Sequence, residues 1–186
     1  MRLIDHFERR LGRISGGGAH KIDGVQIAHY ENGRFRDVES WSTLGMSRHI
    51  LTVRGTENRY VLEVFLAVRK LPDMGTADMG KCVEWVAGEM VGRHEARIRG
   101  DVQKLPSPIH PASVLDHLYF ANPVYYDEDF YSVELEPDGQ SAGIVWLIPV
   151  GPREAKYVRE HGWQRFEEEL ERVDPNLFDL TRDQMV

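Results

Sequence analysis

The chain of 186 residues has one cysteine, Cys82, and lacks any long apolar run. A single cysteine excludes an intramolecular disulfide framework and every multi-cysteine metal site, and it is typical of a reducing compartment. The longest apolar stretch, residues 144–150, has seven residues, whereas a membrane span needs about 18. Asp5 and Glu8 interrupt the N-terminal region, so we expect no signal peptide there. These absences predict a cytoplasmic protein without a membrane segment.

Basic residues are fewer than acidic residues. Lys and Arg number 23 against 30 Asp and Glu, which gives a formal net charge of −7. Non-specific nucleic-acid binding depends on cations that neutralise phosphates, so this balance argues against a nucleic-acid partner. Hydrophobic residues make up 41 % of the chain, as expected for a globular protein, and the length predicts one domain over residues 1–186.

Hydrophobic spacing predicts an N-terminal helix over residues 2–13, ended by Gly16–Gly18, and a core that spans about residues 25–170. Strands are expected at 25–30, 38–44, 50–53, 60–68, 130–135 and 143–150, with turns at Asn32-Gly33, at Pro72 and Gly75, and at residues 137–139. Helices are expected at 79–91, 112–117 and 153–173, and residues 94–111 are predicted as loop. The Glu167–Glu169 run is interpreted as a solvated helix face. Together these elements predict an α+β fold, an α/β sandwich in which helices cover a mixed, largely antiparallel sheet.

One segment matches the spacing of a phosphate-binding loop. Residues 75–82 fit the pattern GxxxxGK, but Cys82 stands where a hydroxyl group would bind magnesium. Six residues also separate the preceding predicted strand from Gly75. We interpret the match as accidental. The histidines contain no i, i+4 pair, so neither a metal site nor a cofactor is predicted.

Candidate catalytic groups are dispersed along the chain. Ser47 lacks the second flanking glycine of a nucleophile elbow, and a lone cysteine such as Cys82 is typically a buried apolar residue. Asp127 and Asp129 have the spacing of paired acids, although a solvated loop is the simpler interpretation. We therefore assign no catalytic residue. A small hydrolase or nucleotide-binding enzyme, with a site assembled from dispersed Ser, His and Asp residues, is the alternative to a binding protein.

Residues 121–152 carry six acids and no Lys or Arg. The acids alternate with aromatic residues, as in a surface that binds a basic protein partner. In the other interpretation, the aromatic residues belong to the core and the acids to an ordinary solvated loop. The candidate partner-binding residues are Tyr125, Tyr126, Asp127, Glu128, Asp129 and Tyr131.

A series of short motifs resembles the Suppressor of fused family. Residues 41–47 (WSTLGMS) are similar to its aromatic-x-Thr-x-Gly-x-Ser signature, and an apolar strand that contains Glu63 follows at the expected interval. Residues 147–150 (LIPV), Glu154 and the later His161-Gly162 resemble the C-terminal motif, and Asn122-Pro123 lies where the family has a proline-containing segment. The signature residues, for which we expect a structural role, are Trp41, Thr43, Gly45, Ser47, Glu63, Pro149, Glu154 and Gly162.

The resemblance implies an α/β sandwich that binds proteins and has no catalytic residue. The animal member sequesters transcription factors, whereas many compact bacterial members are regarded as immunity proteins that neutralise polymorphic toxins. The resemblance therefore favours a non-enzymatic immunity protein that occludes a toxin, such as one with a basic active cleft. A regulatory scaffold that sequesters a housekeeping protein is the second alternative. Gly16–Gly18 and His94–Lys104 have no clear counterpart in the family.

Overall fold

The structure is a computed structural model that describes residues 2–19, 22, 24–71, 76–137 and 139–186. The predicted loop residues Pro72 and Gly75, and Asp138 of the predicted turn at 137–139, lie outside the described residues. The helices are α1 (Leu3–Leu11), α2 (Thr76–Arg93), α3 (Pro152–His161) and α4 (Trp163–Val173), with 3-10 turns at Met46–Arg48 and Glu128–Phe130. The strands are β1 (Gly12–Ala19), β2 (Gln26–Asn32), β3 (Val38–Leu44), β4 (Leu51–Val53), β5 (Arg59–Tyr60), β6 (Leu62–Arg69), β7 (Glu95–Ala96), β8 (Val102–Lys104), β9 (His117–Ala121), β10 (Ser132–Leu135) and β11 (Gln140–Val150).

Eight of these strands form one mixed sheet. Its order is β1-β2-β3-β6-β11-β9-β8, and β10 pairs with the first part of β11. The β6–β11 pair is parallel, and the other pairs of this sheet are antiparallel. Strands β5, β4 and β7 form a small second sheet. The predicted α+β class, with its mixed and largely antiparallel sheet, is confirmed.

Strand β6 lies in the interior of the large sheet and is buried on both faces. Val64, Leu66 and Val68 belong to one apolar cluster, called here the first cluster. Phe65 and Ala67 belong to another, called here the second cluster. This alternation follows from the strand geometry, because successive side chains point to opposite faces of a sheet. The two-faced burial explains why the segment is apolar almost throughout, as the sequence predicts.

Helices cover both faces of the sheet. The first cluster includes the inner face of α2 and the small sheet, with Val83, Val86 and Met90 buried as their spacing predicts. Helices α1, α3 and α4 pack on the opposite face and contribute residues such as Phe7, Val158 and Phe166 to the second cluster. Among the described residues, no helix is both long enough and apolar enough to cross a membrane.

The N-terminal helix is shorter than predicted. It ends at Leu11, and Gly16–Gly18 lie in strand β1 instead of a loop. The chain pairs with β2 from Gly12 to Ala19, with an irregularity between Ile14 and Gly16. The glycines therefore satisfy their backbone hydrogen-bonding groups by strand pairing, which composition alone does not reveal.

Three further predictions are wrong in part. Residues 94–111 contain β7 and β8, and residues 112–117 form no helix but lead into β9. The predicted helix over 153–173 is two helices, because Gly162 interrupts it with φ 86° and ψ 161°. That backbone conformation is open to glycine but not to other residues.

The C-terminal segment, residues 175–185, completes the core. Leu177 and Phe178 enter the second cluster, and Leu180 enters the first. The segment is held by backbone groups, since the Arg69 N–H donates to the carbonyl of Phe178 at 2.7 Å. Ser113 Oγ donates to the carbonyl of Leu180 at 2.5 Å. The core thus extends beyond the predicted limits of 25 and 170.

Candidate functional site

Asp127, Glu128 and Asp129 form a solvent-exposed turn, called here the acidic turn. It lies between β9 and β10, and the 3-10 turn Glu128–Phe130 gives it a defined shape. The Phe130 N–H donates to the carbonyl of Asp127 at 2.8 Å, and buried Phe130 anchors the turn in the second cluster. All three acidic side chains remain at the surface.

Two acids of the turn form ion pairs with other elements. Asp127 lies 3.1 Å from Arg34, and both side chains are about half exposed or more. Asp129 pairs with Arg10 of α1, whose side chain is only 9 % exposed. Arg10 holds the pKa of Asp129 below its usual range. Asp129 therefore contributes to the packing of α1, while Glu128 and the Asp127–Arg34 pair are exposed to solvent.

The predicted aromatic anchors lie largely inside the protein. Tyr126 is 6 % exposed, and its ring packs edge-on against Phe65 at 5.6 Å. Tyr125 is half-buried against Trp146 at 5.1 Å, and its hydroxyl donates to the carbonyl of Pro175 at 3.3 Å. Tyr131 is also half-buried. The rings point largely inward, as in the interpretation that assigns the aromatic residues to the core, so only the acids form the candidate contact surface.

The first signature segment surrounds the carboxylate of Glu63, which has no exposed surface. Thr43 Oγ1 donates to it at 2.5 Å, and the backbone N–H groups of Gly45, Met46 and Ser47 donate at 2.9, 3.3 and 3.0 Å. Such charge-assisted bonds stabilise a carboxylate that would otherwise be costly to bury. The arrangement joins β3, the turn after it and β6, and is called here the Glu63 cradle.

The backbone of the Glu63 cradle requires a glycine at position 45. Its φ is +98°, in the left-handed region, and a Cβ there would lie 2.5 Å from the carbonyl oxygen of Gly24. Trp41, four residues earlier, is 2 % exposed and belongs to the first cluster. Trp41, Thr43, Gly45 and Ser47 of this signature thus all make contacts inside the protein.

The second signature segment surrounds the buried carboxylate of Glu154. Arg182 donates to it at 2.6 and 3.1 Å, and the N–H of Gly151 donates at 2.7 Å. Arg182 also donates to the carbonyl of Pro149 at 3.0 Å. Sequence reasoning missed Arg182, because nothing in the surrounding residues distinguishes it from an ordinary surface arginine. The pair attaches the C-terminal segment to β11 and α3.

The residues considered for catalysis do not form one site. Cys82 lies on α2 and packs against the first cluster. Burial raises the pKa of its thiol to about 12, so the thiol is protonated at neutral pH. Ser47 is buried beside the Glu63 cradle. Asp127 and Asp129 belong to the turn anchored in the second cluster, on the other face of the sheet.

The segment with phosphate-loop spacing is helical where it is described. Gly80 lies within α2, and a Cβ there would approach Trp41 at 3.7 Å, so it belongs to a close helix–sheet contact rather than a loop. Lys81 is exposed on the helix, as predicted, while Gly75 lies outside the described residues.

The Glu167–Glu169 run is only partly solvated. Glu167 accepts a hydrogen bond from the Tyr119 hydroxyl at 2.7 Å and pairs with Arg99, whose guanidinium lies 4.3 Å from the Trp163 ring centre. Burial and the bond to Glu167 both raise the pKa of Tyr119. Part of the basic segment His94–Lys104 thus serves to dock α4. Glu168 is exposed, as predicted for the whole run.

Residues 18–183 match the sequence profile of the family described as Suppressor of fused protein (SUFU). The chain therefore belongs to the SUFU family, as its motifs indicate. It is similar to the immunity protein YqcF of Bacillus subtilis (strain 168), with 24 % identity over 172 residues, which cover 90 % of this chain and 84 % of that protein.

Solved structures show the same fold at low sequence identity. A putative SUFU homologue from Neisseria gonorrhoeae superposes with a TM-score of 0.75 at 13 % identity, covering 98 % of this chain and 93 % of that one. A chain in the Sufu–Fu complex gives a TM-score of 0.73 at 11 % identity, over 98 % of this chain and 90 % of that one. Drosophila Suppressor of Fused gives 0.65 at 11 % identity, and the match covers 86 % of this chain but 42 % of the fly protein.

Proposed function

We propose that the chain is a non-enzymatic binding protein, an immunity protein that neutralises a bacterial toxin by covering its active cleft in the cytoplasm. The observation that carries this proposal is the similarity to the immunity protein YqcF, which extends over 90 % of this chain. The Glu63 cradle and the Glu154–Arg182 pair support it, because these signature carboxylates are buried and hydrogen-bonded, not presented to a substrate.

The acidic turn is the proposed contact with the toxin. Its carboxylates project from a turn whose shape is fixed by Phe130 in the core, so little ordering is required on binding. A basic cleft, such as that of a nuclease, complements this charge. The net charge of −7 would also accelerate encounter with such a partner.

The proposal is tested by producing the chain together with each toxin-like protein that a neighbouring gene encodes. We expect growth to be restored and a stable complex of the two proteins to be isolated. Persistent toxicity, or the absence of a complex at micromolar concentrations, would contradict immunity. A complex with a non-toxic cellular protein instead would favour the scaffold alternative, which the similarity to a chain of the Sufu–Fu complex supports.

The role of the acidic turn is tested by charge reversal at Asp127 and Glu128. The double variant Asp127→Lys/Glu128→Lys should bind the toxin about 3- to 10-fold more slowly at low salt, with weaker salt dependence, as measured by stopped-flow mixing. Asp129 is left unchanged because its loss would leave Arg10 without its ion-pair partner.

The matched control is Glu168→Lys/Glu171→Lys, which alters net charge equally at two exposed positions of α4. An equal slowing by both double variants would assign the effect to total charge and not to the acidic turn. An unchanged rate in the Asp127/Glu128 variant would remove the turn from the mechanism while leaving immunity itself open to the growth test.

A further inference from the structure

Strands β2 and β3 bring His29, Glu31 and Glu39 together on the sheet face that carries the first cluster. His29 and Glu31 are two residues apart on β2 and share a face. The register pairs His29 with Trp41 and Tyr30 with Ser40, which places Glu39 of β3 opposite Glu31. One nitrogen or oxygen atom from each of the three side chains lies within 4.8 Å of the others.

The imidazole of His29 is held in one orientation. Its ring stacks on the indole of Trp41, with centroids 4.7 Å apart and planes 15° apart. Its Nδ1 lies 2.9 Å from Ser15 Oγ of β1, and its Nε2 lies 3.0 Å from Glu39 Oε2. Histidine ligands of metals usually have the second nitrogen engaged in this way, which fixes the coordinating nitrogen. The Nε2 atom therefore faces the carboxylate of Glu39.

The charges around this group favour a bound cation. Glu31 and Glu39 are like charges on facing positions of adjacent strands, a destabilising arrangement unless a cation lies nearby. Glu39 is only 5 % exposed, and Lys70 Nζ lies 2.6 Å from its Oε1. The Lys70 side chain is 55 % exposed, so its ammonium can move into solvent. Arg13 of β1 pairs in register with Glu31 but is itself exposed.

We propose that His29, Glu31 and Glu39 bind a divalent transition-metal ion, and that this ion displaces Lys70 from Glu39. One imidazole nitrogen and two carboxylate oxygens are suitable ligands for Zn²⁺, at metal–ligand distances of about 2.0–2.2 Å. The 3.0 Å between His29 Nε2 and Glu39 Oε2 is close to the separation of two ligands on one such ion. Rotation of the Glu31 side chain completes the site, and a further position stays open to water or to a partner's side chain.

A search for i, i+4 histidine pairs does not find this group, because its ligands come from alternate positions of one strand and a facing position of the next. The site goes beyond the proposed immunity function. It lies on the sheet face opposite to the one in which the acidic turn is anchored, so the two can be tested separately.

The test is isothermal titration of Zn²⁺ into the metal-free full chain, with the thermal midpoint measured in parallel. We expect one saturable site and a zinc-dependent rise in the midpoint. Glu31→Gln and His29→Gln should each weaken binding at least about 10-fold, since each removes one of three ligands. Lys70→Ala should strengthen binding, because the competing ammonium is removed. The control His161→Gln changes an exposed histidine on α3 and should leave the affinity unchanged.

Several outcomes would overturn the site. These are the absence of saturable heat up to millimolar zinc, the same affinity in Glu31→Gln as in the unaltered chain, or an equal loss of binding in the His161→Gln control. Unchanged affinity in Lys70→Ala would contradict displacement of the ammonium. If His29→Gln fails to fold after losing its stacking contact with Trp41, the Glu31 and Lys70 variants still decide the question.

Discussion

Glu63 and Glu154 show how single residues account for the family signature. Both carboxylates are without exposed surface, and both accept hydrogen bonds from distant parts of the chain. They differ in how their charge is balanced. Among the described residues, Glu63 accepts hydrogen bonds from a hydroxyl and three backbone N–H groups, whereas Glu154 is paired with the guanidinium of Arg182. Each joins segments that are far apart in the sequence.

Glu63→Gln is expected to lower the free energy of unfolding by about 2–4 kcal/mol. The amide removes the negative charge and replaces one acceptor oxygen by a donor, so bonds worth about 1.5–3 kcal/mol each are weakened or lost. Urea denaturation followed by circular dichroism measures the change. The control Glu128→Gln alters an exposed acid and should shift stability by less than about 0.5 kcal/mol. Equal stability of Glu63→Gln and the unaltered chain would mean that the cradle does not stabilise the fold.

Much of this residue-scale detail lies beyond sequence reasoning. The family resemblance singled out Glu63, Thr43 and Gly45, but the three N–H donors emerge only from the turn that brings them to one point. Charge clustering predicts that the acids of the acidic turn are exposed. The sequence does not predict the orientation of Tyr126, because aromatic residues beside acids occur both on contact surfaces and at the edges of cores.

At the scale of elements, the break between α3 and α4 sets the position of α4. Gly162 turns the chain so that Phe166 enters the second cluster and Glu167 reaches Tyr119 of β9. The hydrophobic periodicity is helical on both sides of Gly162, and it therefore predicts one long helix over residues 153–173. A glycine inside a helical pattern is often tolerated, so the break is settled by tertiary packing.

Gly162→Ala is expected to destabilise the protein by about 1–3 kcal/mol, since φ 86° with ψ 161° is strained for any residue with a Cβ. The loss of stability is measured as a fall in the thermal midpoint and in the urea midpoint. Glu160→Ala serves as the control, because it changes an exposed residue two positions earlier in α3. Similar stabilities of the two variants would show that α3 and α4 adapt to a continuous helix without cost.

Short strands in or after polar segments are the hardest elements to predict. The apolar runs of the buried strands β6 and β11 predict them, whereas β8 lies within the polar segment 94–111 and β9 follows its prolines. β9 is recognisable only through its pairing with β11, which supplies the hydrogen bonds for residues 117–121. Backbone pairing of this kind leaves little trace in local composition.

For the whole molecule, the two apolar clusters share one sheet, and the C-terminal segment contributes to both. The single domain over residues 1–186 remains a prediction, and this arrangement gives it a direct test. We expect one cooperative transition in urea, because loss of the sheet exposes both clusters together. Tryptophan fluorescence and far-ultraviolet circular dichroism should give coincident curves. Two separated transitions would show that the clusters unfold independently and would contradict a single domain.

The Glu154–Arg182 pair has a consequence for the order of events during synthesis. A nascent chain that has emerged only as far as α3 carries the Glu154 carboxylate but not the guanidinium that neutralises it. Burying that carboxylate alone is costly, so the end of β11 and α3 cannot close tightly over the sheet at that stage. The segment that contains Arg182 therefore stabilises this region only after its own synthesis, and packing around Glu154 is completed once translation has passed residue 182.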